Sequence, residues 1–417
     1  MPWEDVRLPT LQPQIPGSFP LPFYRGVFTL TSNKLTDLQH YSFPTPDQEL
    51  LLKAALMQGD EAVSAWKKWQ SRMDMERELD QGSFRLLPLL YTNLRQQGVE
   101  EPGMGKLKGI YRQAWSKNQT LFHEIARVVK RLQSAGIRTM LLKGAPLSLL
   151  YYKNNGARPM ADIDVLVPRK EATSACRLLD DEGWHSLLPL TEMDLQYGHA
   201  IQLENSAGRE FDLHWRPFSG CCDAHDNDFW DGAVDVVMGD VTALAPDPTH
   251  MLFHVIIHGV PGNPVPPIRW IADAVSLVRT PGVTIDWQRL INLSAKHLVG
   301  LRLKVGLRYL RDTFQFPIPQ EVMKKVEALP VSYLEGIEDR FMMATRENKN
   351  RRPYMAFCCH LCRYRRLTAG GGPASMAGFP RYIQWRLDAK NFHDLLARGL
   401  RVAGSRFFSK PFNVRPR

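Results

Sequence analysis

The chain has 417 residues, 44% of them hydrophobic, with a formal net charge of +10. That is enough apolar material for a sizeable core in two or three domains, and no run approaches the 18 apolar residues of a membrane-spanning helix. The polar opening Met1–Arg7 is followed by no apolar leader core, and Cys176, Cys221, Cys222, Cys358, Cys359 and Cys362 do not read as an extracellular disulfide framework. A reduced, cytoplasmic protein is expected.

Residues 1–46 are proline-rich and read as an extended leader. From Thr45-Pro46 to Leu132 the apolar residues recur at helical spacing, as in Leu50–Leu56, Leu86–Tyr91 and Leu121–Leu132, so 47–132 is read as a helical domain. The rhythm then changes. Gly136–Leu142 is strand-like and runs into Lys143-Gly144, with Pro146 suited to a first helical turn and Leu147–Lys153 completing that helix. Ile163–Val167 reads as a strand ended by Pro168, and Lys170–Glu182 as an amphipathic helix stopped by Gly183. His199–Leu203 and Glu210–Trp215, joined through Asn205–Gly208, read as a hairpin.

The order strand, helix, strand, helix, hairpin predicts an α+β fold, with a small mixed sheet over 133–245 between helical regions. Asp247-Pro248 caps the first helix of a second helical domain, 246–345, which continues through Trp270–Val278, Trp287–Lys296 and Gly300–Phe314. The C-terminal part, 346–417, is a basic tail that Gly370–Pro373 breaks in two. Residues 351–417 hold 14 Lys/Arg against 2 Asp/Glu, so the charge sits there and not on the sheet. Such a tail suits an anionic partner or a solvated set of basic helices.

Chemistry concentrates on Asp162-Ile163-Asp164. Side chains two apart on a strand share a face about 6–7 Å apart, and two carboxylates so placed call for a cation, Mg²⁺ or Mn²⁺. In Phe211–Trp215, Asp212 and His214 share one face, and if that strand lies beside Ile163–Val167, Asp212 comes level with Asp162 and Asp164. Three converging carboxylates can hold two ions about 3.5–4 Å apart for an in-line phosphoryl displacement. Lys143-Gly144 lies at a strand-to-helix turn suited to phosphate, with Lys143 a point charge and Arg158 a planar fork. His214 reads either as a contact to the nucleotide or as a packed residue beside it.

Elsewhere, His250, His254 and His258 share a helix face, and are read as core or interface residues rather than zinc ligands. Cys358, Cys359 and Cys362 lack a distant second ligand pair. Asp273 is read as fixing helix packing through His258.

These residues resemble the polymerase-beta-like nucleotidyltransferase superfamily, and within it a branch of mostly uncharacterised bacterial nucleotidyltransferase family proteins. The resemblance runs over about 45–315 and is carried by Leu142-Lys143-Gly144, Tyr152, Gly156-Ala157-Arg158, Asp162–Val167, Gly183-Trp184, Phe211–Trp215, Leu252–His258 and Arg269–Asp273. It implies a metal-dependent transfer of a nucleoside monophosphate from an NTP, such as ATP, to an acceptor. Asp162 and Asp164 would ligate Mg²⁺ or Mn²⁺ and the phosphates, Asp212 would be the third carboxylate, and Gly144 would cradle the triphosphate.

The superfamily's Gly-Ser pair is replaced here by Lys143-Gly144-Ala145. That departure keeps a non-catalytic nucleotide-binding scaffold as one alternative, and an Asp-x-Asp glycosyltransferase is another. The acceptor (small molecule, sugar, peptide, protein or RNA) is not legible in the residues.

Overall fold

A computed structural model describes residues 43–75, 79–221, 228–260, 268–346, 353–368, 373–389, 391 and 393–394. Nearly all of the proline-rich leader, most of the charged 346–352 linker, the Gly370–Gly372 break and residues 395–417 lie outside the described residues. No helix among the described residues is long and apolar enough to cross a membrane.

The first helix, α1 (Pro46–Leu56), begins where its sequence dictates. The Thr45 hydroxyl accepts from the Gln48 amide, and the Gln48 side chain accepts from the Thr45 amide, a reciprocal capping box with proline in the first turn. Helices α2 (Gly59–Gln70) and α3 (Leu87–Gln96) pack on it, and the 32-residue α4 (Gly103–Ser134) carries the chain to the sheet.

The sheet holds β1 (Met140–Leu141), β2 (Asp162–Leu166), β3 (Trp184–His185), β4 (Ala200–Asn205), β5 (Glu210–His214), β6 (Val234–Met238) and β7 (Val241–Ala245) in the spatial order β3-β4-β5-β2-β1-β7-β6. It is mixed: β2 runs parallel to β5 and β1 to β7, while the β1–β2, β3–β4, β4–β5 and β6–β7 pairs are antiparallel. The α+β class read from the sequence is the class of the structure.

Two elements differ from the sequence reading. The Leu147–Tyr152 segment forms a wider π-type turn ending at left-handed Lys153, instead of a regular helix. The β6–β7 hairpin was missed. It turns at Gly239, whose φ of +61° suits glycine, and its Val236, Met238, Val241 and Ala243 bury on the helix-covered side of the sheet.

Alternation along the strands sorts the two faces. Ile163, Val165, Val167, Phe211 and Leu213 are buried against Leu121, Ile125 and Val128 of α4 and against Ala172, Ala175 and Leu179 of α5 (Ala172–Asp181). Each large apolar side chain so buried contributes roughly 1.5–3 kcal/mol. A one-residue slip of β2 against β5 would send that whole set to the other face, so the register is strongly specified. The opposite face carries Asp162, Asp164, Asp212 and His214, with Leu166 beside them joining the core of the helical region.

A short helix, α6 (Glu192–Tyr197), leads into β4, and beyond that face α7 (Pro248–Gly259), α8 (Arg269–Arg279), α9 (Trp287–Lys296), α10 (Gly300–Phe314) and α11 (Gln320–Glu327) share one continuous apolar core with α1, α2 and α3. Asp247 caps α7 as its sequence predicts, accepting from the Thr249 amide at 2.8 Å. Among the described residues three further helices follow: α12 (Tyr333–Arg346), α13 (Pro353–Leu367) and α14 (Phe379–Arg386). The buried Glu338 carboxylate on α12 pairs with Arg302, Arg363 and Arg366 at 3.2, 3.3 and 2.6 Å, so two arginines of the basic tail are paired inside the fold.

Candidate active site

The parallel pairing of β2 and β5 sets Asp164 opposite Asp212, with Ile163 opposite Phe211 and Leu166 opposite His214. Parallel partners in register project to the same face. The ligand atoms of Asp164, Asp212 and His214 accordingly all lie within 4.8 Å of one another, the only such group of three His, Cys, Asp or Glu among the described residues. Asp162 stands on the same face, one pleat along and nearer the rim, outside that group of three.

A cation already sits among these donors. The Lys143 ammonium is 2.5 Å from Asp164 Oδ1 and 3.9 Å from Asp212 Oδ2. Burial disfavours that charge, but Asp164, and after it Asp212 and Asp162, outweigh burial and hold the Lys143 pKa above its ordinary value. Asp164 is buried, which alone would raise its pKa. Lys143, together with a His214 Nε2 contact at 3.0 Å, instead holds the carboxyl well below the usual range. Asp212 is pushed up to about 6 by partial burial and then by the charge of Asp164. Two carboxylates crowded this way, served by a tethered ammonium, are a donor set that fits a hard divalent ion. His214 Nδ1 is buried with no hydrogen-bond partner among the described residues.

Lys143 has φ 51° and ψ −110°, a conformation costly for a side-chain-bearing residue. The flanking bonds hold it there: the Leu142 amide donates to Asp164 O at 3.0 Å, and Lys143 O accepts from the Leu147 amide at 3.4 Å. Gly144 follows at the start of the turn. A Cβ there would come 2.9 Å from Arg158 Nη1 and 3.1 Å from Met160 Cγ, so the turn approaches the Arg158–Met160 segment more closely than a side chain permits.

Arg158 is buried and engaged. Its Nε and Nη2 donate to Asp273 on α8 at 2.7 and 2.9 Å, and the Tyr152 hydroxyl joins the same carboxylate at 2.8 Å. Asp273 therefore fixes packing through Arg158 and Tyr152, where the sequence reading names His258. The three α7 histidines do not converge on an ion either: His250 Nδ1 meets Asp247, and His254 Nε2 meets Pro217 O at 2.9 Å.

Two residues of the site were not legible in the sequence. Asn118, fully buried on α4, donates to Asn155 O at 2.6 Å and Arg158 O at 2.8 Å, and accepts from the Met160 amide at 3.0 Å. It thereby sets the approach to β2, and only its burial would have revealed it. His199 lies 5.6 Å from His214, ring to ring, and burial, then His214 and Lys143, push its pKa well down. Period-two spacing would have put His199 with Ile201 and Leu203 on the helix-covered face; it precedes β4, where the pleat no longer governs.

His199 also borders a cavity of about 530 Å³ that opens beside Asp162 and Asp212. The segment His185–Leu190, with Leu187 almost fully exposed, forms its lip, and Gln202, Glu204 and Trp215 line its wall.

A family model described as uncharacterised nucleotidyltransferase matches residues 83–315, more than half of the chain. The chain belongs to this nucleotidyltransferase family. The matched stretch runs from the segment before α3 to just past α10, and so takes in the whole sheet together with Lys143, Asp162, Asp164, Asp212 and Asp273. No curated protein matches the sequence.

Two solved structures are similar at low identity. An antigenic nucleotidyltransferase-like protein from Paracoccidioides brasiliensis is 16% identical, over 51% of this chain and 94% of its own, with a TM-score of 0.29. The antibiotic-resistance factor ANT(2'')-Ia is 14% identical, over 48% and 97%, with the same TM-score of 0.29. Membership of the nucleotidyltransferase family supports a transferase, and the Asp164–Asp212–His214 group is compatible with a metal ion.

Proposed function

We propose that the protein transfers a nucleoside monophosphate from an NTP, ATP among them, to a hydroxyl or similar group of an acceptor, with pyrophosphate leaving. The observation that carries this reading is the in-register Asp164–Asp212 pair with His214 beside it, on the sheet face turned away from α4 and α5. Asp164, Asp212 and His214 would hold Mg²⁺ or Mn²⁺, and Asp162, at the mouth of the cavity, would serve the phosphate side or a second ion. The bound ion supplies charge stabilisation to the phosphoryl oxygens.

The chain's own groups divide the remaining work. The Gly144 turn and Lys143 receive the triphosphate, while Arg158, tied to Asp273, backs that turn through Nη1. In the transfer the acceptor oxygen bonds to the α-phosphorus as the bond to pyrophosphate breaks. The Asp212 carboxylate, beside the cavity, takes the acceptor's proton. The cavity beside Asp162 and Asp212 gives the acceptor room. The cytoplasm, which holds NTP and Mg²⁺ together, is the compartment this reading implies, and exposed arginines of the C-terminal part would suit an anionic partner.

The test uses each α-labelled NTP with cell extract and Mg²⁺. A labelled product made by the wild type and lost in Asp164→Asn supports the reading; equal labelling in both would sink it. Lys143 seated on Asp164 favours a second reading, a nucleotide-binding scaffold without turnover. NTP-dependent thermal stabilisation without pyrophosphate release from any acceptor would select that one.

A further inference from the structure

We propose that Lys143 is a built-in counter-ion at the proposed metal position, which a divalent ion must displace and which then passes to the nucleotide's phosphates. The inference rests on the metal-site reading above and adds an exchange to it. The ammonium lies within 2.5 Å of Asp164 Oδ1 and 3.9 Å of Asp212 Oδ2, inside the space enclosed by donors no more than 4.8 Å apart. An ion bonded to Asp164 and Asp212 would find the ammonium at contact distance. Two carboxylates balance a divalent ion in full, so a third positive charge held in the same half-buried space is repelled.

The ammonium can leave without moving the backbone. The Lys143 main chain is held by its carbonyl's bond from the Leu147 amide and by the neighbouring Leu142 amide's bond to Asp164 O, whereas its four-carbon stem has rotatable bonds and the side chain is 22% exposed. Lys143 adjoins the Gly144 turn, where the triphosphate is proposed to lie. The phosphates therefore offer the charge that Asp164 gives up.

It follows that ion and nucleotide bind cooperatively, because each stabilises the rearranged lysine for the other. Without nucleotide, the ion must expel an ammonium that has nowhere as favourable to go.

The experiment measures Mn²⁺ affinity by electron paramagnetic resonance on the full chain, with and without an α,β-methylene NTP analogue that cannot be turned over. Wild type, Lys143→Met, Lys143→Gln and Asp164→Asn are compared, and Gln keeps a donor to Asp164 should Met impair folding. Without nucleotide, both lysine variants should bind Mn²⁺ about tenfold more tightly than wild type, the order of coupling between contacting charged groups. They should also lose most of the analogue-dependent gain in Mn²⁺ affinity. Wild-type binding abolished in Asp164→Asn but unchanged or weakened in both lysine variants would overturn the exchange and leave the metal site standing. No Mn²⁺ binding by any of the four would overturn both.

Discussion

Arg158 and Asp273 form a buried two-bond pair, 2.7 and 2.9 Å long, joining the residue that backs the Gly144 turn to helix α8 of the helical region. The Tyr152 hydroxyl caps the same carboxylate, and Arg269 anchors nearby by donating to Pro159 O at 3.0 Å. Removing one member strands a buried charge, which costs about 3–5 kcal/mol. Asp273→Ala should therefore lower unfolding free energy by that amount in urea titrations and weaken NTP binding. An unchanged denaturation midpoint would mean the pair is dispensable.

Gly144→Ala tests the close approach of the phosphate turn. The new methyl would meet Arg158 Nη1 and Met160, and overpacking of this kind costs about 1–3 kcal/mol. Retained stability with NTP affinity equal to wild type would show that the turn has slack.

Asp212 gives the metal site its pH dependence. Its folded pKa of about 6 exceeds the ordinary 3.8, so between those values the folded chain holds a proton that the unfolded chain has lost. The associated stability is full below about pH 4 and is lost as pH rises through 6. Metal binding runs the other way, because the ion needs the carboxylate. Mn²⁺ affinity should climb about tenfold per pH unit below 6 and flatten above it. Asp212→Asn should abolish that slope, as binding isotherms at pH 5, 6 and 7 would reveal.

His254 predicts acid sensitivity of the fold. Burial, then the nearby positive groups, push its pKa down to about 3 from 6.5, so the unfolded chain takes up a proton that the folded chain refuses. Stability is complete above pH 6.5 and falls as the pH drops toward 3. From pH 7 to pH 5 this residue alone contributes a loss of about 2 kcal/mol. His254→Gln, which keeps a donor for Pro217 O, should be less sensitive over that range; an equal pH dependence would reject the assignment.

Glu338 clasps the C-terminal helices. With Arg302, Arg363 and Arg366 converging on one buried carboxylate, Glu338→Gln leaves excess positive charge inside the fold. Limited proteolysis should remove 353–386 earlier than in wild type, while NTP-dependent stabilisation of the sheet persists. Protection equal to wild type would mean that the aromatic contacts of Tyr197, Tyr364 and Tyr382 suffice.

Much of the fold was written locally. The Thr45 box, the Asp247-Pro248 cap, the Gly183 stop and the alternation of β2, β4 and β5 depend on neighbours a few residues away, and such signals survive in a linear chain. The β6–β7 hairpin escaped because its short strands lie among stronger helical patterns.

The sequence by itself settled that Asp162 and Asp164 share a face, and that Asp212 and His214 share one too, because the pleat repeats every two residues. Tertiary structure alone decided that Asp164, not Asp162, meets Asp212 and His214, that Lys143 sits between the carboxylates, and that Arg158 answers to Asp273. Those outcomes hang on strand register and on competition among charges 21 to 115 positions apart, which no local pattern encodes.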